Sequence, residues 1–340
     1  MKAIGLYRYL PIEDPESLID REIETPVPGA HQLLVRVKAI AVNPVDVKTR
    51  GRKAQAESTP RILGWDVAGI VEAVGPDCAL FRPGDAVYYA GDWLHPGAYS
   101  ELHLVDERIV GRKPDRLNFA EAAALPLTTI TAWEGLFDRL LIAQQADKNR
   151  GKSILIINAA GGVGSIATQL AYWAGLTVIG TASRPASMQW AREHGADYII
   201  DHRQSLALQL QQSGYPTIDS ILCLKNVAQH WDKMVEVITP QGKICLIDDV
   251  SSPPDTSLLH AKSLTLAFEN IFTRPNYQTA DVLTHHYILS KVAELVDAGV
   301  IQSTLTERLS PITASTLRQA HAKVETGKMI GKLVLEQFPD

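Results

Sequence analysis

Cysteine is scarce in this sequence, and the few cysteines are far apart. Cys78, Cys223 and Cys245 belong to no Cys-x-x-Cys pair and to no Cys/His cluster. A disulfide framework needs an even set of cysteines, and a structural zinc site needs closely spaced donors, so the sequence predicts neither. We interpret the three residues as reduced, mostly buried thiols of a cytoplasmic protein.

Long apolar runs and runs of one charge sign are also missing. No stretch of about 20 apolar residues occurs, so we expect no membrane span. The N-terminal segment MKAIGLYRYLPIEDPE lacks the sustained apolar core of a signal peptide. The formal net charge is −5 without a basic run, so neither nucleic acid nor a membrane surface is an expected partner.

The remaining features are those of an ordinary globular protein with two domains. A chain of 340 residues is long enough for two hydrophobic cores. Its first third contains short β-type runs, such as QLLVRVKA at 32–39, GIVEAVG at 69–75 and AYSELHLVDERIV at 98–110, separated by Gly and Pro. This spacing predicts a compact β-barrel.

The pattern changes to alternating strands and helices after residue 118. Asn118 and Glu121 stand at the N-cap and N3 positions of a capping box, and the helical segment that follows is interrupted at Pro126. Strands are predicted at 153–158, 177–181, 198–200, 218–224 and 243–247. The βαβ alternation predicts a doubly wound parallel sheet. A final helix and strand, at 287–299 and 331–336, are assigned to the first domain.

A glycine-rich turn joins the first of these strands to its helix. Gly161 and Gly164 occupy two glycine positions of the GxGxxG fingerprint, whereas Ala159 replaces the first glycine. Backbone N–H groups at such a turn, with the positive end of the helix, bind a pyrophosphate. We therefore predict a dinucleotide site, and the alternative is a turn that only allows close packing.

The end of the second strand favours NADPH over NADH. NAD sites usually carry an acidic residue about 20 residues after the glycine-rich turn. Here the strand is followed by Ser183 and Arg184, and no acidic residue occurs before Glu193. Ser183 and Arg184 are suited to bind a 2′-phosphate. A solvated surface arginine is the alternative interpretation of Arg184.

Several motifs together resemble the medium-chain dehydrogenase/reductase superfamily over essentially the whole chain. They are NPVD at 43–46, GWDVAG at 64–69, PGD at 83–85, GAY at 97–99, AAALPLTTITAW at 122–133, AGGVG at 160–164 and GK at 331–332. The resemblance is greatest to the quinone oxidoreductases of the zeta-crystallin type, in the branch often labelled zinc-type alcohol dehydrogenase-like.

This resemblance implies an α/β architecture with two domains. A GroES-like β-barrel catalytic domain is expected at 1–125 and 275–340, and a Rossmann domain that binds NADP(H) is expected at 126–274. The resemblance also implies a homodimer, for which the alternating segment 262–268 is a candidate edge strand. An edge strand covered by its own chain is the alternative.

The positions of the superfamily's zinc ligands carry other residues. Asn43 stands at the first cysteine position and Trp65 at the histidine position, and the segment 125–127 offers no third donor. Catalytic zinc needs about three protein ligands, so Asp66 alone does not make a site. The segment AGDWLHPG at 90–97 lacks the four cysteines of the structural zinc loop. We therefore expect no metal site.

Without a Lewis acid, the acceptor of the hydride has to be electrophilic already. We expect a reductase that transfers a hydride from NADPH to a quinone or to an α,β-unsaturated carbonyl. Two alternatives stay open: a zinc-dependent alcohol dehydrogenase, and a non-catalytic NADPH-binding protein of the crystallin kind.

The resemblance further implies individual site residues. Asn43 and Thr131 are expected beside the nicotinamide, and Asp46 is expected to orient its neighbours. The expected cofactor contacts are Asn43, Thr131, Ala160, Gly161, Gly162, Val163, Gly180, Ser183, Arg184, His202 and Lys332. The expected acceptor pocket is formed by Trp65, Tyr89, Trp93 and His95.

Tyr89 and His95 are the two candidate proton donors of that pocket, and Tyr89 joins Asn43 and Asp46 as an expected catalytic residue. Packing in the core or at a rim is the alternative for each pocket residue. His202 stands where some relatives have a tyrosine near the adenosine, and a plain surface histidine is its alternative.

Overall fold

The computed structural model describes residues 1–51, 56–248, 255 and 257–339. These residues form two compact units. The first comprises Met1–Leu127, Phe272–Gly299 and Ser303–Asp340, and the second comprises Thr128–Ile271 and Val300–Gln302.

Strands dominate the N-terminal part of the first unit. They are β1 (Lys2–Leu6), β2 (Ile19–Glu22), β3 (Gln32–Ala41), β4 (Arg61–Ile62), β5 (Val67–Val74), β6 (Ala86–Tyr89), β7 (Leu102–Asp106) and β8 (Val110–Arg112). The helices of this part are α1 (Pro44–Arg50) and α2 (Phe119–Ala123).

Strand β3 is the central element of this unit, because it pairs with both β5 and β7. Its sequence is rich in the Val and Leu side chains that suit a pleated, buried surface, and Leu33 and Val35 are fully buried. Arg36, the next residue along β3, is exposed. Its guanidinium donates two hydrogen bonds to the carboxylate of Glu72 on β5, at 2.7 and 2.8 Å.

The segment 98–110 is only partly a strand, which corrects the prediction. Strand β7 ends at Asp106, and a 3₁₀ turn follows at Glu107–Ile109. The Asp106 carboxylate accepts a hydrogen bond from Arg108 N at 2.9 Å, so a short polar side chain competes with the extended backbone there.

The second unit contains a parallel sheet with helices between its strands. The strands are β9 (Ser153–Ile157), β10 (Thr177–Thr181), β11 (Tyr198–Ile200), β12 (Ile218–Cys223), β13 (Ile238–Leu246) and β14 (Thr265–Phe268). The helices are α3 (Pro126–Trp133), α4 (Gly162–Trp173), α5 (Pro185–Glu193), α6 (Leu206–Gln212), α7 (Val227–Val237) and α8 (Ser257–Ala261).

The strand order in this sheet is β11-β10-β9-β12-β13-β14. All these strands are parallel: β10 and β11 are added on one side of β9, and β12 to β14 on the other side, as in a doubly wound Rossmann sheet. The prediction of this architecture from the βαβ alternation is therefore confirmed.

The helical region before the sheet also follows its sequence signals. Asn118 Oδ1 accepts from Glu121 N at 2.9 Å and Glu121 Oε2 accepts from Asn118 N at 3.0 Å, which is the predicted capping box. Helix α2 ends before Pro126, where α3 begins, and a π-helical turn at Glu134–Arg139 continues from α3. Pro126 fits this place because the first turn of a helix needs no N–H from it.

The end of the chain returns to the first unit. It forms α9 (Thr273–Tyr277), α10 (Thr284–Asp297), β15 (Leu305–Leu309), α11 (Ala314–Glu325) and β16 (Lys332–Glu336). Strand β16 pairs with β3, with Val334 opposite Ala41 and Leu335 opposite Ile40. This pairing places the first residue of β16 near the end of β3.

Two further expectations concern the sheet edge and the cysteines. Strand β14 lies at the edge of its sheet, and Phe268 on it is 57% exposed. Pairing of this strand with a second copy stays a prediction. Cys223 and Cys245 are buried and Cys78 is partly exposed, and all three are free thiols.

Among the helices in the described ranges, none has the length and apolar character that a membrane crossing would require. The segment SSPPDT at 251–256 predicts a loop, and it lies outside the described residues except for Asp255.

Gly75, directly after β5, offers a test of the backbone packing in the first unit. A Cβ atom on Gly75 would overlap the carbonyl oxygen of Gly29 and lie 2.5 Å from that of Ala30. We expect Gly75→Ala to lower the free energy of unfolding by about 1–3 kcal/mol, the usual cost of overpacking, in urea denaturation.

Gly51→Ala is the matched control for this prediction. Gly51 has φ −92°, and the nearest atoms to a Cβ there are 3.8 Å away. This substitution is expected to be neutral or slightly stabilising. Equal destabilisation by the two variants would contradict the packing argument.

Candidate functional site

A buried polar cluster forms where three strand ends of the first unit meet. Asn43 follows β3 and caps α1, Asp66 immediately precedes β5, and Lys332 begins β16. Because β3 pairs with both β5 and β16, their ends lie side by side. The exposed fractions of Asn43, Asp66 and Lys332 are 1%, 0% and 4%.

Lys332 is the cation of this cluster. Its Nζ lies 2.8 Å from Asp66 Oδ2 and 3.3 Å from the carbonyl oxygen of Val42, and it also donates to Asn43 Oδ1. Asn43 Nδ2 donates to Asp66 Oδ2 at 2.8 Å. An ammonium only donates and a carboxylate only accepts, so these two partners determine the orientation of the amide.

Asp66 has a further backbone partner within the first unit. Its Oδ1 accepts a hydrogen bond from Leu127 N at 2.7 Å. Burial raises the pKa of Asp66, while the charge of Lys332 opposes that rise. The carboxylate therefore depends on Lys332 to stay ionised in the interior.

Asp46 is a second buried carboxyl group beside this cluster. Its Oδ2 accepts from Asn43 N at 2.6 Å at the start of α1, and the carboxyl group also interacts with the Tyr99 hydroxyl. Burial, with a smaller effect of the charge of Asp66, raises the pKa of Asp46 to about 7, while the hydrogen bond from Asn43 N and the charge of Lys332 oppose this rise. The expectation that Asp46 orients its neighbours agrees with its contact to the Asn43 backbone.

Tyr99 and His321 lie behind the carboxyl groups. The Tyr99 hydroxyl is 3.1 Å from His321 Nε2, and burial lowers the pKa of His321 to about 3. A Cβ atom on Gly64, which has φ +108°, would overlap the Tyr99 ring. The glycine of the GWDVAG motif is therefore required by a close approach between backbone and ring.

Trp65 forms an aromatic wall with two other rings. It stacks on Trp93 with 4.9 Å between ring centroids and 4° between planes, and Phe272 packs edge-on against both rings. Its Nε1 donates to the carbonyl oxygen of Asp92 at 2.7 Å. Trp65 is 1% exposed, so the position of the superfamily's histidine ligand is a buried indole, and Trp93 on top of it is partly exposed. Phe272 was not predicted, since it is far from the motif in sequence.

His95 lies on the loop beside this wall. Its Nδ1 is 2.8 Å from Asp92 Oδ1, which also accepts from the backbone N–H groups of Leu94 and His95. The His95 side chain is 60% exposed. The structure thus places this candidate proton donor in an Asx turn next to an aspartate.

Tyr89, the other candidate proton donor, is fully buried. Its hydroxyl lies 3.0 Å from His103 Nδ1, and His103 Nε2 lies 3.0 Å from the carbonyl oxygen of Pro96. Burial lowers the pKa of His103 to about 4, so the ring is neutral at pH 7 and carries its proton on Nε2, toward Pro96. The Tyr89 hydroxyl therefore donates to His103 Nδ1, a contact that the sequence did not reveal.

The glycine-rich turn of the second unit connects β9 with α4. Gly161 is the N-cap of α4 and supplies no side-chain acceptor. The first N–H groups of a helix have no intrahelical partner, so those of Gly162, Val163 and Gly164 are suited to bind an anion.

Two further glycines explain the packing around this turn. A Cβ atom on Gly164 would overlap the carbonyl oxygen of Asn158 and lie 2.7 Å from Ala159 Cα. A Cβ atom on Gly180 would lie 2.8 Å from the Ala159 methyl carbon. Ala159, which replaces the first fingerprint glycine, thus fits because Gly180 on β10 has no side chain.

The end of β10 is held by an arginine that the sequence analysis missed. Arg203 Nη2 donates to the carbonyl oxygen of Ser183 at 2.7 Å, and its Nε and Nη2 bind Asp201 at 3.0 and 2.6 Å. Arg184 follows as the N-cap of α5. The position of Arg203, shortly after the predicted strand 198–200, was the available signal.

His202, Ala160 and Thr131 complete the predicted cofactor residues. His202 packs edge-on against His230 at 5.9 Å between centroids, and burial lowers the pKa of His202. Its carbonyl oxygen accepts from Lys233 Nζ at 3.2 Å. Ala160 is 6% exposed in the glycine-rich turn, and Thr131 is 4% exposed in α3.

The donor atoms at the superfamily's zinc positions do not fit zinc. They belong to an amide at Asn43 and an indole at Trp65, and the neighbouring Asp66 carboxylate is bound by the Lys332 ammonium. Within the described ranges, no three His, Cys, Asp or Glu side chains are grouped to hold a metal ion.

Two family models match most of the chain. Residues 29–115 match the family model of the alcohol dehydrogenase GroES-like domain, and residues 194–335 match that of the zinc-binding dehydrogenases. A zinc-type alcohol dehydrogenase-like protein of Staphylococcus epidermidis is 39% identical over 98% of this chain and 99% of its own length. The chain belongs to the medium-chain dehydrogenase/reductase superfamily.

Solved structures agree with this membership and with the GroES-like and Rossmann architecture. A Rhizobium etli CFN 42 protein named for the zinc-dependent alcohol dehydrogenases has a TM-score of 0.95 and 47% identity, with 100% of this chain and 99% of that chain covered. Escherichia coli quinone oxidoreductase complexed with NADPH has a TM-score of 0.82 and 25% identity, with 99% and 100% covered.

A more distant relative carries a specific enzyme name. The chloroplastic NADPH-dependent alkenal/one oxidoreductase of Arabidopsis thaliana is 29% identical over 94% of this chain and 76% of its own length. The superfamily consists of oxidoreductases that use nicotinamide dinucleotides, and this chain is a member of it.

The carboxyl group of Asp46 should give a measurable pH dependence of stability. Its pKa is about 7 in the folded protein and about 4 in an unfolded chain, so the folded state binds the extra proton between these values. The group therefore stabilises the fold less as the pH rises from about 4 to about 7, and its contribution is constant above that.

The test is the difference in unfolding free energy between Asp46→Asn and the wild type, from urea denaturation at pH 4 to 8. Because the amide does not titrate, the difference should shift in favour of the variant as the pH rises to about 7. Titration of other buried groups, such as His103 and His321, cancels in the difference. Parallel pH profiles of the two proteins would contradict the assignment.

Proposed function

We propose that this protein is an NADPH-dependent reductase that transfers a hydride to a quinone or an α,β-unsaturated carbonyl without a metal. The observation that carries the proposal is the set of residues at the zinc positions. An amide, an indole and an ammonium-bound carboxylate offer no Lewis acid, and an acceptor that is already electrophilic needs none.

The names of two relatives support the acceptor class. The Arabidopsis thaliana relative is an alkenal/one oxidoreductase and the Escherichia coli neighbour is a quinone oxidoreductase, and both names include NADPH. Both acceptor types are flat, conjugated carbonyl compounds. Trp93, which is partly exposed and stacks on the buried Trp65, is suited to bind a flat ring.

The reaction requires a hydride and one proton. NADPH, when bound, supplies the hydride, which adds to the β-carbon of the enone or to the quinone and leaves an oxyanion. We place the amide of Asn43 beside the reacting groups, as a hydrogen-bonding residue held by Asp66 and Lys332. The proton comes from water or from His95, because the other candidate donor, Tyr89, is fully buried with its hydroxyl bound to His103.

For the cofactor, we propose that Ser183 and Arg184 bind the 2′-phosphate at the end of β10. Arg203 holds the carbonyl oxygen of Ser183 and so positions this segment. No acidic residue follows β10 until Glu193, so nothing at the end of this strand repels the phosphate. The N–H groups at 162–164 are the proposed pyrophosphate ligands.

The first test follows NADPH oxidation optically with a small quinone and a small enone, before and after removal of metals with a chelator. We expect turnover that survives chelation, because no step needs a Lewis acid. The more reactive acceptor class then identifies the substrate type.

Two other results would overturn the proposal. Activity that returned only on addition of zinc would favour a zinc-dependent alcohol dehydrogenase. NADPH binding without turnover, over a broad set of acceptors, would favour the non-catalytic alternative.

The second test addresses the choice between NADPH and NADH. We expect Arg184→Ala to raise the dissociation constant for NADPH about tenfold or more, because a charged hydrogen bond to the phosphate contributes about 1.5–3 kcal/mol. The dissociation constant for NADH should stay unchanged. Both constants can be measured by fluorescence titration.

Arg192→Ala is the control for this substitution, since Arg192 is also exposed and lies in the last turn of the same helix α5. It should leave both dissociation constants unchanged. Equal losses of NADPH and NADH affinity in Arg184→Ala would show that Arg184 does not recognise the 2′-phosphate.

A further inference from the structure

We propose that Lys332 is a built-in cation, whose ammonium group takes over the role of the superfamily's metal as the fixed positive charge that organises Asn43 and Asp66. Residues at the zinc positions do not merely lack metal donors. Asn43, at the first of these positions, and the neighbouring Asp66 are bound together by a charged group that belongs to the chain itself.

The contacts of the ammonium resemble those of a cation among oxygen ligands. Nζ is surrounded by Asp66 Oδ2 at 2.8 Å, by the Val42 carbonyl oxygen at 3.3 Å and by Asn43 Oδ1. An ammonium has three N–H donors, and these three oxygens account for all of them. With 4% of Lys332 exposed, water contributes little to its solvation.

The charge of Lys332 matters to both carboxyl groups of the cluster. Asp66 and Asp46 are fully buried, and Lys332 is the cation that favours the ionised form of each. Removing the charge of Lys332 alone would leave a buried carboxylate uncompensated, which is far more destabilising than removing both charges together.

The same contacts give the amide of Asn43 a single orientation. Lys332 accepts no hydrogen bond and Asp66 donates none while ionised, so Oδ1 faces the ammonium and Nδ2 faces the carboxylate. Lys332 therefore acts as a positioning residue for Asn43. The Lys332 ammonium stands in place of a metal. Asp66 Oδ2, the oxygen that a metal would need, already accepts from Asn43 Nδ2 and from Lys332 Nζ.

The first experiment compares thermal unfolding of the wild type, Lys332→Ala and Lys332→Met. We expect both variants to lose about 10 °C in the midpoint, as for a broken buried ion pair in a protein of this size. Propylammonium replaces the atoms removed in Lys332→Ala, so millimolar amounts should restore much of the loss in that variant. Uncharged 1-propanol should not.

Two further variants make this experiment decisive. Lys323→Ala removes a surface lysine of the same unit, with its side chain 44% exposed in an ion pair with Glu307, and should change the midpoint little. The double variant Lys332→Met with Asp66→Asn removes both charges and should be more stable than Lys332→Met alone. If Lys332→Ala does not fold, this comparison still decides the question.

Opposite results would overturn the proposal. A Lys332→Met protein as stable as the wild type, or one made no more stable by Asp66→Asn, would show that the ammonium does not organise the cluster. Propylammonium that stabilised the wild type as much as Lys332→Ala would show a general solvent effect.

The positioning role has a second readout, which rests on the proposed function. Lys332→Met should lower kcat about tenfold for quinone or enone reduction and change the NADPH dissociation constant less than twofold, because Lys332 is committed to Asn43 and Asp66. Loss of NADPH affinity instead would mean that Lys332 binds the cofactor phosphates. If the wild type has no turnover, the proposed function fails and the unfolding data alone decide the role of Lys332.

Discussion

The buried ion pair of Lys332 and Asp66 is the constraint around which the first unit is arranged. It joins residues 266 positions apart in sequence, the first of β16 and the one before β5. Through Asn43 it also includes the end of β3. A buried charge is tolerated only with a well-placed partner, so the C-terminal strand has to return to this place for the cluster to be satisfied.

In the second unit, two glycines constrain the structure, because backbone and neighbouring side chains occupy the space that a side chain at either position would need. Gly164 lets α4 approach the end of β9, and Gly180 leaves room for the methyl group of Ala159. The fingerprint is therefore altered at its first glycine without loss of the turn, because the space comes from the neighbouring strand. The loop keeps free N–H groups where a diphosphate is expected to bind.

Local signals in the sequence predicted most of the secondary structure. The strand at 177–181, the capping box of Asn118 and Glu121 and the break before Pro126 are observed where the pattern placed them. These features depend on neighbours within a few residues. The segment 98–110, which has a strand-like pattern, is a strand only in part, because Asp106 caps a 3₁₀ turn that the hydrophobic pattern does not reveal.

By itself, the sequence determined the βαβ alternation, the glycine-rich turn, the missing zinc donors and the superfamily, since each is written in short segments. Only the tertiary structure decided what replaces the missing donors. The stacking of Trp65 on Trp93, the contact of Tyr89 with His103 and the ammonium of Lys332 beside Asn43 join side chains through strand pairing and loop packing. Such contacts depend on the register of distant segments, which the chemistry of neighbouring residues does not encode.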